Sequence, residues 1–255
     1  MTLRTMLWTA LFSVLAGVVS AQAAGVAEVL ARARAAEARF EVAAALELYR
    51  EADRLQPDNA VTLQKIAQQL SDLGLVVTSD AERKAQAEQA LVYAERAVKL
   101  APDNAVNVLS LAICYGKMGV YSDTRGKIEY SRKVREAALQ AIAIDPNYDW
   151  AHHVLGRWHY EVASLGSTKR FFVRLIYGGL PEASKEEAVR QLEKAVALAP
   201  QRVPHHLELA FAYLALGREG EARASFARGL ELPSVELYDE SAKMRAREAL
   251  AGLKG

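Results

Sequence analysis

Five times along this chain a helix-length pattern of small residues runs into a proline. Ala45, Tyr49, Ala52 and Pro57 set the rhythm. Ala90, Ala94, Ala97 and Pro102, then Val134, Ala138, Ala141 and Pro146, then Ala188, Leu192, Ala195 and Pro200 keep it, with steps of 4, 3 and 5 residues each time. A fifth copy, Ala222, Phe226 and Gly229, meets its proline one residue early at Pro233. Steps of four and three put one smooth stripe along a helix, small side chains let a neighbouring helix approach, and the proline ends the helix. After each of the first four prolines a second pattern opens. Leu63, Ile66, Ala67 and Leu70 are matched by Val108, Leu111, Ala112 and Tyr115, by His152, Leu155, Gly156 and His159, and by His206, Leu209, Ala210 and Tyr213. Such a period predicts helix pairs stacked one on the next.

The two patterns together resemble the tetratricopeptide repeat, whose first helix carries a large-x-x-Leu-Gly-x-x-Tyr frame and whose second carries the Ala, Phe, Ala and Pro positions. The resemblance implies an all-α, right-handed α-solenoid of about five helix pairs over residues 26 to 233. Only the last repeat keeps the family's period of about 34 residues. The inserted stretches "TSDAERKAQ" and "SDTRGKIEYSRK" are charged and open with Ser-Asp capping signals, which predicts extended second helices. A third insertion occupies residues 164–182. Residues 235–253 read as the polar-faced C-terminal capping helix that a solenoid needs.

The irregular periods carry a narrower likeness. "GKIEYSRKVREAALQAIAIDPNYDWAHHVLGRWHYEVASL", followed by "IYGGLPEASKEEAVRQLEKAVALAP", resembles the regulator of microtubule dynamics family. Leu155, Gly156, Arg157, Trp158, Tyr160, Glu161, Val162 and Ala163 match the family's core, while Tyr177, Gly178, Gly179, Leu180 and Pro181 depart slightly from its turn. Eukaryotic members of that family include an organelle tether of the mitochondrial outer membrane that carries phospholipid on its repeat domain. What the resemblance implies here is the fold, together with lipid or partner binding.

With 255 residues and 51% hydrophobic content, the chain can bury an extended core. Lys and Arg number 32 and Asp and Glu 31, so no surplus of positive charge argues for a nucleic-acid partner. The N-terminus stands apart. "MTLRTMLWTALFSVLAGVVSAQAA" combines Arg4, an apolar run from Met6 to Val19 and then small residues, the pattern of a secretory signal peptide over residues 1–23. Cleavage is expected after Ala23 or after Ala21; left uncleaved, the segment would anchor the chain to the cytoplasmic membrane. In either case residues 24–255 form a repeat domain that faces outward, periplasmic or secreted. Such a signal on an alanine-rich chain looks bacterial, where microtubules are absent. Cys114 has no partner for an internal disulfide, so stability must come from packing.

In a pair of this kind the first helix lines the concave face. The candidate ligand-binding residues are then Leu109 and Ile113 in the third pair, Trp150, His153, Arg157 and Tyr160 in the fourth, and Leu207, Phe211 and Leu214 in the fifth. An apolar trough with one Arg suits a protein partner or apolar peptide, and equally a fatty acid or phospholipid. The Lys and Asn pair of repeats that grip a peptide's carboxyl end is missing.

The third insertion contains "STKRFFVRLIYGGLP", in which Lys169, Arg170 and Arg174 are threaded through Phe171, Phe172 and Tyr177. Its amphipathic pattern predicts a short helix over 168–177 that needs a surface to cover it. That surface is either the chain's own groove above Trp150 and Tyr160, as a lid, or a bilayer, as a peripheral membrane contact. His152, His159 and His206 hold positions that bury large side chains, and no Cys or paired carboxylate joins the histidines at ligand spacing, so neither metal nor cofactor is expected. No phosphate loop, nucleophile elbow or His-Glu-x-x-His helix occurs, which leaves a non-enzymatic binding module. It reads as a protein-interaction scaffold or, alternatively, as a lipid carrier.

Overall fold

The computed structural model describes residues 23–253, and every regular element in them is an α-helix. The signal peptide expected over residues 1–23 lies, except for its last residue, outside the described part. Twelve helices follow in order: α1 (23–38), α2 (Val42–Leu55), α3 (Ala60–Leu73), α4 (Asp80–Leu100), α5 (Ala105–Val120), α6 (Thr124–Ile144), α7 (Asp149–Ala163), α8 (Ser167–Tyr177), α9 (Lys185–Leu198), α10 (Val203–Ala215), α11 (Glu219–Glu231) and α12 (Asp239–Gly252). They sort into five pairs, α1/α2, α3/α4, α5/α6, α7/α9 and α10/α11, with α8 inserted in the fourth pair and α12 closing the stack.

Proline placement sets the ends. Helices α2, α4, α6, α9 and α11 each stop two residues before their proline, at Leu55, Leu100, Ile144, Leu198 and Glu231, because the ring disfavours helical backbone in the residue before it. In the two "PDNA" turns the Asn then starts the next helix. Asn59 accepts from the Val61 and Thr62 amides, and Asn104 from those of Val106 and Asn107. The charged insertions do lengthen second helices: α4 and α6 have 21 residues where α2 has 14, about two extra turns. Ser79 caps α4 by accepting from the Glu82 amide, and Asp123 caps α6 by accepting from that of Gly126.

The small-residue stripes form the core. Ala45, Tyr49, Ala52, Ala90, Ala94, Ala97, Ala138, Ala141, Ala188, Leu192, Ala195, Ala222 and Phe226 are all sealed from solvent. Three apolar clusters follow one another along the stack instead of meeting in a central core. The first helices also touch in succession, α3 against α5, α5 against α7 and α7 against α10, whereas the second helices do not pack along one another. In a curved stack the shorter inner wall belongs to the helices that touch, so α3, α5, α7 and α10 line the concave side. Among the described residues no helix is long and apolar enough to cross a membrane.

Candidate functional site at the inner wall

The histidines at the repeat's large position act as ties. His152 Nε2 donates to the Pro146 carbonyl at 3.0 Å, and His206 Nε2 does the same to Pro200 at 2.8 Å. Each bond fastens an inner helix to the proline turn six residues before it. His159 Nδ1 accepts from the Ser184 amide at 3.4 Å, and Trp158 donates to the Ser131 carbonyl at 2.8 Å. Among the described residues no cluster of three or more His, Cys, Asp or Glu is arranged to hold a metal ion.

His153 and His205 build something more specific where α7 meets α10. His205 Nε2 lies 2.9 Å from Asp149 Oδ2, and its Nδ1 lies 3.0 Å from His153 Nδ1. An ionised carboxylate only accepts, so His205 carries its proton on Nε2 and, being neutral, accepts on Nδ1 the proton of His153. Trp150 packs edge-on to both imidazoles at 4.9 and 4.8 Å, with the Arg202 guanidinium over its ring at 5.5 Å. Arg202 Nε also sits 2.7 Å from Asp149 Oδ2. That contact is an ion pair rather than a hydrogen bond, since the N–H does not point at the oxygen. Burial drives the pKa of His153 well down and, against the pull of Asp149, lowers that of His205. Burial would raise Asp149, but the bond from His205 and the charge of Arg202 outweigh it and leave the carboxyl below its ordinary value.

The remaining candidate residues separate by exposure. Leu109 and Leu207 are sealed in the core and offer no surface to a ligand. Ile113 is 42% exposed, joined on the inner helices by Val61 at 61% and Val106 at 43%. Arg157 is exposed and pairs with Glu161 at 2.8 Å on its own helix. Tyr160, Phe211 and Leu214 are half-buried against the C-terminal cluster. Phe211 stacks edge-on with Phe226 at 5.0 Å and is covered from α12 by Arg245, which also pairs with Glu208.

The expected apolar trough with one Arg therefore needs correcting: the inner wall is bridged by charge. Glu37 of α1 accepts from Lys65 at 2.7 Å, from Gln68 at 3.1 Å and from the Tyr49 hydroxyl at 2.7 Å. Lys117 donates to the Ser71 carbonyl at 2.7 Å. The turn before α12 crosses to the other half of the stack, where the Tyr238 hydroxyl donates to Asp72 and the Lys117 ammonium lies 6.0 Å from its ring. On the way Glu236 pairs with Arg202. Asp72, Lys117, Glu208, Tyr238 and Arg245 were missed as site residues because each partner lies in a different repeat, and repeat spacing carries no signal for that.

The lid expected over Trp150 and Tyr160 turns on Phe171 and Phe172, whose side chains lie outside the described residues. Helix α8 forms as expected, and its last residues, Ile176 and Tyr177, share a cleft with Arg125, Ile128 and Arg132 of α6. Its end is held at α6, where Arg132 donates to the carbonyls of Tyr177, at 2.7 Å, and Gly179. Gly178 and Gly179 turn the chain back with φ of 74° and 84°, a conformation glycine adopts freely. Lys169 and Arg174 are exposed and Tyr177 is half-buried. The side chains of Arg170, Phe171 and Phe172 lie outside the described residues.

A family model described as regulator of microtubule dynamics protein 1-3 matches residues 29–254. Regulator of microtubule dynamics protein 1 of Mus musculus is 27% identical over 200 residues, covering 78% of this chain and 66% of the relative. Protein 2 of Homo sapiens is 25% identical over 209 residues, covering 82% and 51%. The chain thus spans between about half and two thirds of the length of these relatives. Among solved structures, a thermophilic TPR protein of Thermus thermophilus superposes with a TM-score of 0.64 at 23% identity, over 89% of this chain and 99% of that one. This likeness establishes the tetratricopeptide-type solenoid.

Proposed function

The chain belongs to the regulator of microtubule dynamics protein 1-3 family, and we propose that it serves as a non-enzymatic scaffold that holds an apolar segment of a protein partner against its inner wall. The observation that carries this reading is the row of Val61, Val106 and Ile113. These are large apolar side chains left 61%, 43% and 42% exposed on adjacent inner helices whose cores are otherwise complete. With exposed Arg157 further along the wall, they offer greasy contacts flanked by a cation. The charged bridges around them hold the wall's shape without covering this row.

Export is part of the proposal and rests on the pattern of residues 1–23. Chain isolated from its host should begin at Ala24 or Gln22; intact Met1 in a membrane fraction would replace cleavage by anchoring. The binding role is tested by native mass spectrometry on that material beside a Val106→Asp/Ile113→Asp variant. A protein bound in fixed stoichiometry, lost in the variant while the melting temperature holds, is the expected result. Bound phospholipid with no protein partner would overturn the scaffold in favour of lipid carriage.

A further inference from the structure

Helix α8 presents large apolar side chains to solvent near its C-terminal end. It has 11 residues, and a helix so short is marginal in water without something to pack on. Yet Leu175 and Ile176 are 68% and 62% exposed, and one turn earlier the sequence carries Phe171 and Phe172. Cations surround this apolar strip. Lys169 and Arg174 are exposed, Arg170 adds a third positive residue, and no acid occurs between residues 167 and 181. Behind the helix a cleft of about 280 Å³ sets Arg125 and Arg132 beside Ile176 and Tyr177, with Glu129 as the one acid of its lining. Arg132 of α6 ties the C-terminal end of the element by donating to the Tyr177 carbonyl.

We propose that α8 is a membrane-docking element that lies in the interface of an anionic lipid surface, independently of what the inner wall holds. A helix with greasy side chains on one strip and Lys and Arg beside it places the strip among the acyl chains and the cations at headgroup phosphates. Lipid fits better than a folded protein surface, because the apolar strip and the cations are adjacent and no counter-charge belongs to the segment. With Leu175 and Ile176 exposed and Arg132 tying the helix at its C-terminal end, these side chains can meet the surface without disturbing the repeats.

The test uses the full chain with an environment-sensitive fluorophore on Thr168→Cys, a position at the start of α8. Cys114 will not compete for the label, since it is buried and its thiol is pushed up to about 12. The probe should shift to the blue on phosphatidylcholine vesicles containing phosphatidylglycerol, stay put on phosphatidylcholine alone, and revert in high salt. Each cation near the surface is worth about fivefold in partitioning, so Lys169→Gln/Arg174→Gln should weaken binding by about 25-fold. Leu175→Asn/Ile176→Asn should weaken it by at least about tenfold. Both variants should melt like the parent, because the altered side chains are exposed. Silence of the probe on anionic vesicles, or equal titrations for parent and variants, overturns the proposal. A blue shift that grows with protein concentration in the absence of vesicles does the same and assigns the strip to a second copy of the chain.

Discussion

His205 is wholly buried, and both its ring nitrogens are committed, one to Asp149 and one to His153. Protonating His205 on Nδ1 would place two donors face to face at 3.0 Å beside Arg202, and protonating His153 on Nε2 would bury a cation near Arg157 and Arg245. Unfolded, a histidine titrates near 6.5, whereas folded His153 and His205, and also His159, titrate lower. Between the two values the unfolded chain binds more protons. Their contribution to stability is therefore complete above about pH 6.5 and declines as the pH falls below it. Melting curves taken from about pH 7 down to about pH 5 should show a falling midpoint. His153→Leu should flatten that slope while costing about 1–3 kcal/mol at neutral pH, because His205 Nδ1 loses its donor. A midpoint that does not change with pH in the parent would rule this account out.

At the level of elements, Gly156 marks a close approach of α7 to α9. A Cβ there would stand 2.7 Å from Leu192 Cγ and 3.0 Å from the Ala188 carbonyl oxygen. Ala67, Ala112 and Ala210 fill the same position in the other repeats and are buried without difficulty. Gly156→Ala should destabilise by about 1–3 kcal/mol through overpacking. Gly220→Ala in α11, where a Cβ meets nothing, should stabilise by roughly 0.5–1 kcal/mol. Chemical denaturation of the two variants reads both signs, and equal effects would refute the close approach. Much at this scale was legible in the sequence. The five prolines, the small-residue stripes and the Ser79 and Asp123 caps are local signals, and each governs a helix within a few residues of itself. The seat of α8 was not legible, because amphipathicity shows that a helix needs a cover without showing where one lies. Its end at α6 is fixed by one guanidinium, Arg132, from 45 residues earlier.

At the scale of the whole molecule, the hydrogen bond most distant in sequence among the described residues is that from Tyr238 to Asp72, 166 residues apart. It joins the entry to the capping helix with the second repeat, so the inner wall is spanned from one half of the stack to the other. No periodicity could announce it, since a solenoid's repeats are specified by their neighbours alone. Asp72 is 8% exposed, and its pKa is raised by burial against the opposing effects of the Tyr238 bond and the Lys117 charge. Removing the hydroxyl leaves a buried carboxylate with one partner fewer. Tyr238→Phe should therefore cost about 1.5–3 kcal/mol, the range for hydrogen bonds to a charged group, even though ring packing is kept. Because this bond crosses between halves, its loss should also let the stack open. Small-angle scattering should show a larger radius of gyration, and amide exchange should quicken at the end of α3 and the start of α12 but not within α7. Lowered stability with an unchanged radius would mean that the bond merely anchors the turn, and that the curvature of the inner wall is set by the repeats themselves.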